Sequence, residues 1–354
     1  MTLRATKPVF NIREKLSELD KPTGLKGNEI LRSETTQDVR NLISSGRKNA
    51  VINGSMLISQ RGNDWSNVNS AAYHLDRWYY YPQNSSAQVR IRHSGDGPNN
   101  FHQSYRVNCT TADTSIASNE EVKVYHKIEG FNLQQFEKGT STAKKFALSF
   151  YIKCNKHGTY IVELYDRDNG RDCSGSYTVY NNNWNRHTIE FPADITGGFD
   201  FDHASSLEIQ FWLVAGSSVQ GGSLNTTWRA SADGGSATGQ VNFTGSTNNE
   251  WMLSGVQLEP SVCTEFDHKS YAEELASCQR YYLKTPANSA SYLPNAYGAN
   301  NHSRVHLMFP VTMRSAPQAT MSNYTLTATT HGVNGYQSSG SVDTQYEGTF
   351  SAEL

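Results

Sequence analysis

Phe146-Ala-Leu-Ser-Phe-Tyr-Ile152 and Leu207-Glu-Ile-Gln-Phe-Trp-Leu213 decide the fold class. Phe146, Leu148, Phe150 and Ile152 share one phase of the first run, and Leu207, Ile209, Phe211 and Leu213 share one phase of the second. A period of two puts such residues on a single face of an extended strand. Tyr160, Val162 and Leu164 repeat the pattern, as do Trp251 and Leu253, and clusters of Gly, Asn, Asp or Pro bound each run. One buried and one wet face per strand predicts antiparallel sheets stacked as a sandwich. From Ala50 to about Glu265 the expectation is therefore a mainly β, antiparallel, jelly-roll-like β-sandwich. Long connections such as Gly216–Gly239 suit jelly-roll crossovers.

Composition agrees. Charged residues are 18% and hydrophobic ones 36% of 354, low for an enzyme of this length, while 19 Tyr and 14 Phe supply a β-type core. A net charge of -2 leaves no basic footprint for nucleic acid. No apolar run is long enough to insert in a membrane, and the N-terminus lacks a signal-peptide core. Five cysteines at irregular spacing, without a CxxC pair, read as reduced thiols and not as a zinc site or disulfide framework. No cofactor is expected.

Residues 1–48 differ in texture, rich in Lys, Arg, Glu and Leu and nearly free of aromatics. Pro8 opens a predicted helix carrying Val9, Phe10, Ile12, Leu16 and Leu19, broken by Pro22 and Gly24. A second, from about Glu34 to Ser45, has Ser33 as N-cap, Gly46 as C-cap and Val39, Leu42 and Ile43 as its apolar stripe. Both are too short to stand alone in water, which predicts docking on a partner. Past the sandwich, Ser270 and Glu273 spell a capping box. Tyr271, Leu275, Cys278 and Tyr282 form the stripe of the helix that follows, with Glu273, Glu274 and Arg280 pointing elsewhere, so that it caps a sheet or packs on sister helices. Val305–Val311 and Tyr324–Thr330 return to strand-like sequence. The predicted domains are 1–48 (helical anchor), 49–268 (sandwich) and 269–354 (helix plus β-rich segment).

No nucleophile elbow, phosphate loop, dinucleotide fingerprint or metalloprotease pair is present. A glycosidase needs two carboxylates on one cleft, about 5–10 Å apart. Glu163 and Glu208 are the pair to consider, but alternation with apolar neighbours puts both on the solvent face and reads as surface charge. Asp166, Asp168 and Asp172 flank a Gly turn that could hold Ca²⁺; two interspersed arginines and the missing downstream Glu favour a solvated turn instead. Trp78-Tyr79-Tyr80-Tyr81 puts Trp78 and Tyr80 on one side of a strand and Tyr79 and Tyr81 on the other. At most one side is core, leaving the other for sugar stacking or a subunit contact. Trp65, Trp184 and Trp228 share that ambiguity.

Several segments, taken in order, resemble the C-terminal modules of phage tail-fibre and related virion proteins, especially those of marine and cyanobacterial phages. They are Val51-Ile-Asn-Gly-Ser-Met-Leu-Ile-Ser-Gln-Arg-Gly62, Asp76-Arg-Trp78, Phe146-Ala-Leu-Ser-Phe-Tyr-Ile-Lys153 and Gly158-Thr-Tyr160. Leu207-Glu-Ile-Gln-Phe-Trp-Leu-Val-Ala-Gly216, Ser254-Gly-Val-Gln-Leu-Glu-Pro260 and Phe266-Asp-His-Lys-Ser-Tyr-Ala-Glu-Glu-Leu-Ala-Ser-Cys-Gln-Arg-Tyr-Tyr282 complete the series. Gly27–Arg40 resembles a segment that often precedes such modules. The resemblance implies a jelly-roll-like module similar to carbohydrate-binding domains, borne on the virion, often homotrimeric, and carrying no catalytic residue. Its partners would be other virion proteins of tail or capsid and, through the sandwich, host surface glycans, after synthesis in the host cytoplasm. No long shaft separates anchor from module, which suits a short fibre, an adaptor or a head-decorating fibre. The alternatives are a virion-associated polysaccharide depolymerase and a freestanding cellular carbohydrate-binding module, the latter leaving the Lys/Arg/Glu-rich N-terminal segment unexplained.

Overall fold

A computed structural model describes residues 48–232, 234–285, 295–298, 302–321, 324–337 and 347–354, with positions 32 and 39. Tertiary contacts divide the chain into Met1–Arg47 and Lys48–Leu354. Of the predicted anchor, Val39 is helical and half-buried; Val9, Phe10, Ile12, Leu16, Leu19, Leu42 and Ile43 lie outside the described residues.

The larger part of the second unit is a jelly-roll-like β-sandwich. In chain order its strands are β1 (Asp64–Val68), β2 (Ala72–Tyr73), β3 (Trp78–Gln83), β4 (Gln88–Ser94), β5 (Ser104–Thr111), β6 (Glu121–Glu129), β7 (Phe146–Cys154), β8 (Gly158–Asp166), β9 (Arg171–Val179), β10 (Asn185–Phe191), β11 (Ser205–Ala215), β12 (Arg229–Ala230) and β13 (Glu250–Pro260). One sheet runs β1-β4-β5-β13-β7-β10, the other β12-β9-β8-β11-β6-β3-β2, and the pairings are antiparallel. The alternating residues meet between the layers as expected. Phe146, Leu148, Phe150 and Ile152 face Val162, Leu164, Ile209 and Phe211 in one buried cluster with Trp78, Tyr80 and Trp251. Phe150 and Phe211 touch edge to face across the layers, with centroids 5.1 Å apart, a geometry worth something beyond the buried area.

Two turns show why particular residues stand where they do. Asn53 adopts the left-handed region at φ 58°, and its side chain donates to the carbonyls of Ile58 and Asp76, while a Cβ at Gly54 would lie 2.1 Å from the Val256 oxygen. Gly255, at φ +60°, sits where the β13–β7 register slips between Ser254 and Gln257. Both are turn or bulge positions of the kind asparagine and glycine favour.

After the sandwich, helix α1 (Tyr271–Gln279) carries the capping box read from the sequence: Ser270 Oγ accepts from the Glu273 N–H. The buried stripe differs from the expected one. Cys278 is buried and Leu275 half-buried, but Tyr271 is 59% exposed, and Tyr282 has left the helix for strand β14 (Tyr282–Lys284). Glu274 takes the inner position instead, because its carboxylate accepts the Asn53 N–H at 2.5 Å. Two smaller sheets follow. With β15 (Asn295–Gly298), β16 (His302–Met308), β17 (Gln318–Met321), β18 (Thr325–Ala328), β19 (Gly332–Gln337) and β20 (Gly348–Ser351), their orders are β14-β20-β17 and β15-β16-β19-β18. Their core is Val305, Phe309, Met313, Val333 and Phe350. Ion pairs tie the segment to the sandwich: Glu353 meets both Arg61 and the buried Arg77, and Arg280 meets Glu129 at 3.0 Å.

Candidate functional site

The cross-strand register of the seven-stranded sheet aligns one row of side chains over its outer face. Glu163 on β8 pairs with Gln210 on β11, Gln210 with Tyr125 on β6, Tyr125 with Tyr79 on β3, and Tyr79 with Tyr73 on β2. The phase that sends Val162, Phe211, Val124 and Tyr80 inward must send these five outward. Beside them Trp212, Lys123 and Tyr81 form a parallel row, and Tyr165, Glu208 and Lys127 another. The tyrosines touch: ring centroids are 4.7 Å apart for Tyr73–Tyr79, 4.9 Å for Tyr79–Tyr125 and 5.8 Å for Tyr81–Tyr125.

At its β8–β11 end this face deepens into a cavity of about 300 Å³. Its floor includes Glu163, Gln210, Trp212 and Tyr165, and part of its wall is Val219, Ser231 and Ser236 from the 216–240 connection. That connection had been expected as a plain crossover. It folds back over the sheet instead, packing Val219 and Ala237 on Trp212 and Ile161 and burying Asp172 and Ser174 at the β9 end. The connection therefore covers the sheet over β9.

The carboxylates here are not surface charges. Glu163 is 5% and Glu208 4% exposed, because the folded-back connection and long neighbours cover them, which alternation alone does not reveal. Glu163 accepts Trp212 Nε1–H at 3.0 Å; burial pushes its carboxyl up to about 7, against the opposing pull of Lys123. Glu208 accepts Arg167 at 2.9 Å and Gln210 Nε2 at 2.7 Å. Lys123 pairs with Glu121 at 2.7 Å and lies 4.1 Å from the Trp212 ring centroid. Gln210 is 6% exposed, and its Oε1 has no hydrogen-bond partner among the described residues. The Nε2–carboxylate bond fixes which end of the amide is the oxygen, since the reverse would set oxygen against oxygen.

The predicted aromatic candidates separate. Tyr79 and Tyr81 are on the outer face, whereas Trp78 and Tyr80 are fully buried core residues that no ligand could touch. Trp65 packs against the core and edge-on to His74. Trp184 donates to Asp96, and Trp228 to the Pro192 carbonyl while resting on Phe146. The calcium candidates do not converge. Asp166 pairs with the buried Lys138 ammonium at 2.6 Å, Asp172 with Arg229 at 3.2 Å, and Asp168 accepts the Asp200 N–H. Among the described residues no His, Cys, Asp and Glu cluster could hold a metal ion. Reasoning from sequence missed Tyr125, Gln210 and Trp212. The available signal was large or amphipathic side chains in the phase opposite the core, on strands otherwise read only for their buried residues.

No family model and no curated protein matches the chain. Among solved structures it is similar to a CBM4 structure (13% identity over 59% of this chain and 98% of that one, TM-score 0.29). It is similar too to TmCBM61 in complex with β-1,4-galactotriose (10%, 61% and 100%, 0.29) and to a Stig cyclase from Fischerella sp. TAU (13%, 61% and 98%, 0.33). Likeness this distant leaves the fold resting on the chain's own strand pairing and the site on its own side chains.

Proposed function

We propose that this chain is a non-enzymatic glycan-binding protein of a bacteriophage virion, a short tail fibre, adaptor or head fibre. Residues 1–48 would anchor it to other virion proteins, and the outer face of its seven-stranded sheet would bind a host surface glycan. One observation carries the binding half: a contiguous row of tyrosines leads into a cavity floored by polar side chains. The half-buried rings of Tyr79 and Tyr81 offer apolar surface to the C–H face of a sugar, and a few placed polar groups fix its orientation, the usual division of labour in a ligand site. The virion half, and the homotrimer expected with it, rests on the ordered series of segments from Val51 to Tyr282. The test is affinity electrophoresis through gels containing host-surface polysaccharide. The wild-type chain should be retarded, and Tyr81→Ala, at a partly exposed ring lining the cavity, should lose about 1–3 kcal/mol of binding, on the scale of one aromatic stacking contact. Equal retardation of both proteins would remove the face from consideration.

A depolymerase reading gains one observation. Glu163 and Glu208 are diagonal neighbours on adjacent strands lining one cavity, and such positions lie about 7–8 Å apart, inside the span of a glycosidase pair. Hydrolysis would pass the Glu163 proton to the leaving oxygen as the glycosidic bond breaks, while Glu208 takes a proton from the attacking water. Both Glu208 oxygens are already engaged by Arg167 and Gln210, which favours binding. Release of reducing sugar that stops in Glu163→Gln would reverse that preference.

A further inference from the structure

Resting on the glycan-binding reading, we propose that the cavity receives the terminal residue of an uncharged glycan, entered end-on, with Gln210 Oε1 accepting a hydroxyl of that residue. Four observations converge. The cleft has a blind end, since the 216–240 connection lies over β9 and its Ser231 and Ser236 wall the cavity. A chain lying across the sheet must therefore stop there. Towards β3 the face carries the half-buried rings of Tyr79 and Tyr81 beside the nearly buried Tyr125; Tyr79 is three strand steps from Glu163, or about 14 Å at about 4.8 Å each, so the following residues can lie on Tyr81 and Tyr79.

The cavity's size agrees. At about 300 Å³ it stands at the small end of ligand pockets, which span roughly 300–1,000 Å³, enough for one ring and not for a run of them. Charge then narrows the class. Each cation of the lining is already matched: Lys123 by Glu121 at 2.7 Å and Arg167 by Glu208 at 2.9 Å. Lys127, beside the lining, lies 4.0 Å from Glu208. A uronate or sulfate arriving here would meet the Glu208 carboxylate with no spare positive charge in the lining among the described residues, and would lose its hydration uncompensated. Finally, Gln210 Oε1 is a buried acceptor with no partner among the described residues. Such an atom carries a desolvation cost that a hydroxyl donor relieves, and a neutral sugar offers several donors on one ring.

The experiment is a glycan array with the full chain as probe. It carries neutral, sialylated, uronate-containing and sulfated oligosaccharides, each neutral sequence shown both with its terminal residue free and with that residue extended by a further sugar. Retained glycans should share one uncharged terminal residue, and extending it should abolish retention. Gln210→Leu should weaken binding about tenfold. Ala232→Trp places a large side chain at an exposed position of the cavity wall and should block binding without disturbing the core, so a folding defect in the Gln210 variant leaves the test intact. Retention of extended or acidic glycans overturns the end-on neutral assignment while the glycan-binding reading stands. Unchanged binding by Ala232→Trp also overturns it. Retention of no glycan takes both readings down together.

Discussion

Glu163 is the residue whose environment departs furthest from what its sequence neighbours suggest. Its carboxyl moves from an ordinary 4.5 up to about 7 through burial, so the folded chain holds a proton there that the unfolded chain releases. The stability this contributes is complete below about pH 4.5 and is lost as pH rises through about 7. Buried His126 and His74 are pushed the other way by burial, His74 to about 4, and oppose this slope at acid pH. The clean quantity is therefore a difference between variants. Urea unfolding at pH 5 and pH 8 should show wild-type stability falling relative to Glu163→Gln by up to about 3 kcal/mol; parallel curves would place Glu163 in water. Alternation put Glu163 on the outer phase correctly. What it could not show is that Trp212 from the next strand and a connection more than fifty residues downstream would cover it, because burial of an outer side chain depends on contacts that local periodicity does not encode.

At the scale of elements, strands were the most legible part of the chain. Where one face is dry, each inward residue reports its own orientation, so the runs at 146, 160, 207 and 251 led to β7, β8, β11 and β13. Helix α1 was legible at its start, where the capping box is local chemistry, and less so along its length. Glu274 is inside because the Asn53 N–H needs an acceptor, a demand arising from the other end of the chain. Gly255 shows the same split: a glycine within a strand run is a local signal for a bulge, and the crowding around it appears only in three dimensions. A Cβ there would lie 2.8 Å from Tyr151 and 2.9 Å from Phe101, at a φ of +60°. Gly255→Val should therefore cost about 1–3 kcal/mol from strained backbone alone, with crowding on top, read as a fall in the denaturation midpoint at unchanged slope. A midpoint equal to wild type would mean that the bulge relaxes freely.

Across the whole molecule, sandwich and C-terminal sheets share the second contact unit, held by Glu353 between Arg61 and Arg77 and by Arg280 on Glu129. Arg77 is buried and its partner nearly so, a pair that is costly to break from one side. The anchor reading belongs to the first unit and is tested there. A chain starting at Lys48 should fold and bind glycan, yet be missing from particles assembled in its presence; its recovery in washed virions would contradict the anchoring role. The central claim concerns the outer face of the seven-stranded sheet, and a crystal structure with a retained oligosaccharide addresses it most directly. The account predicts a sugar ring between Gln210 and the 216–240 connection, with the next residue over Tyr81 and Tyr79. Sugar density on the outer face of the six-stranded sheet, or at its loops, with the Gln210 cavity unfilled, would contradict it.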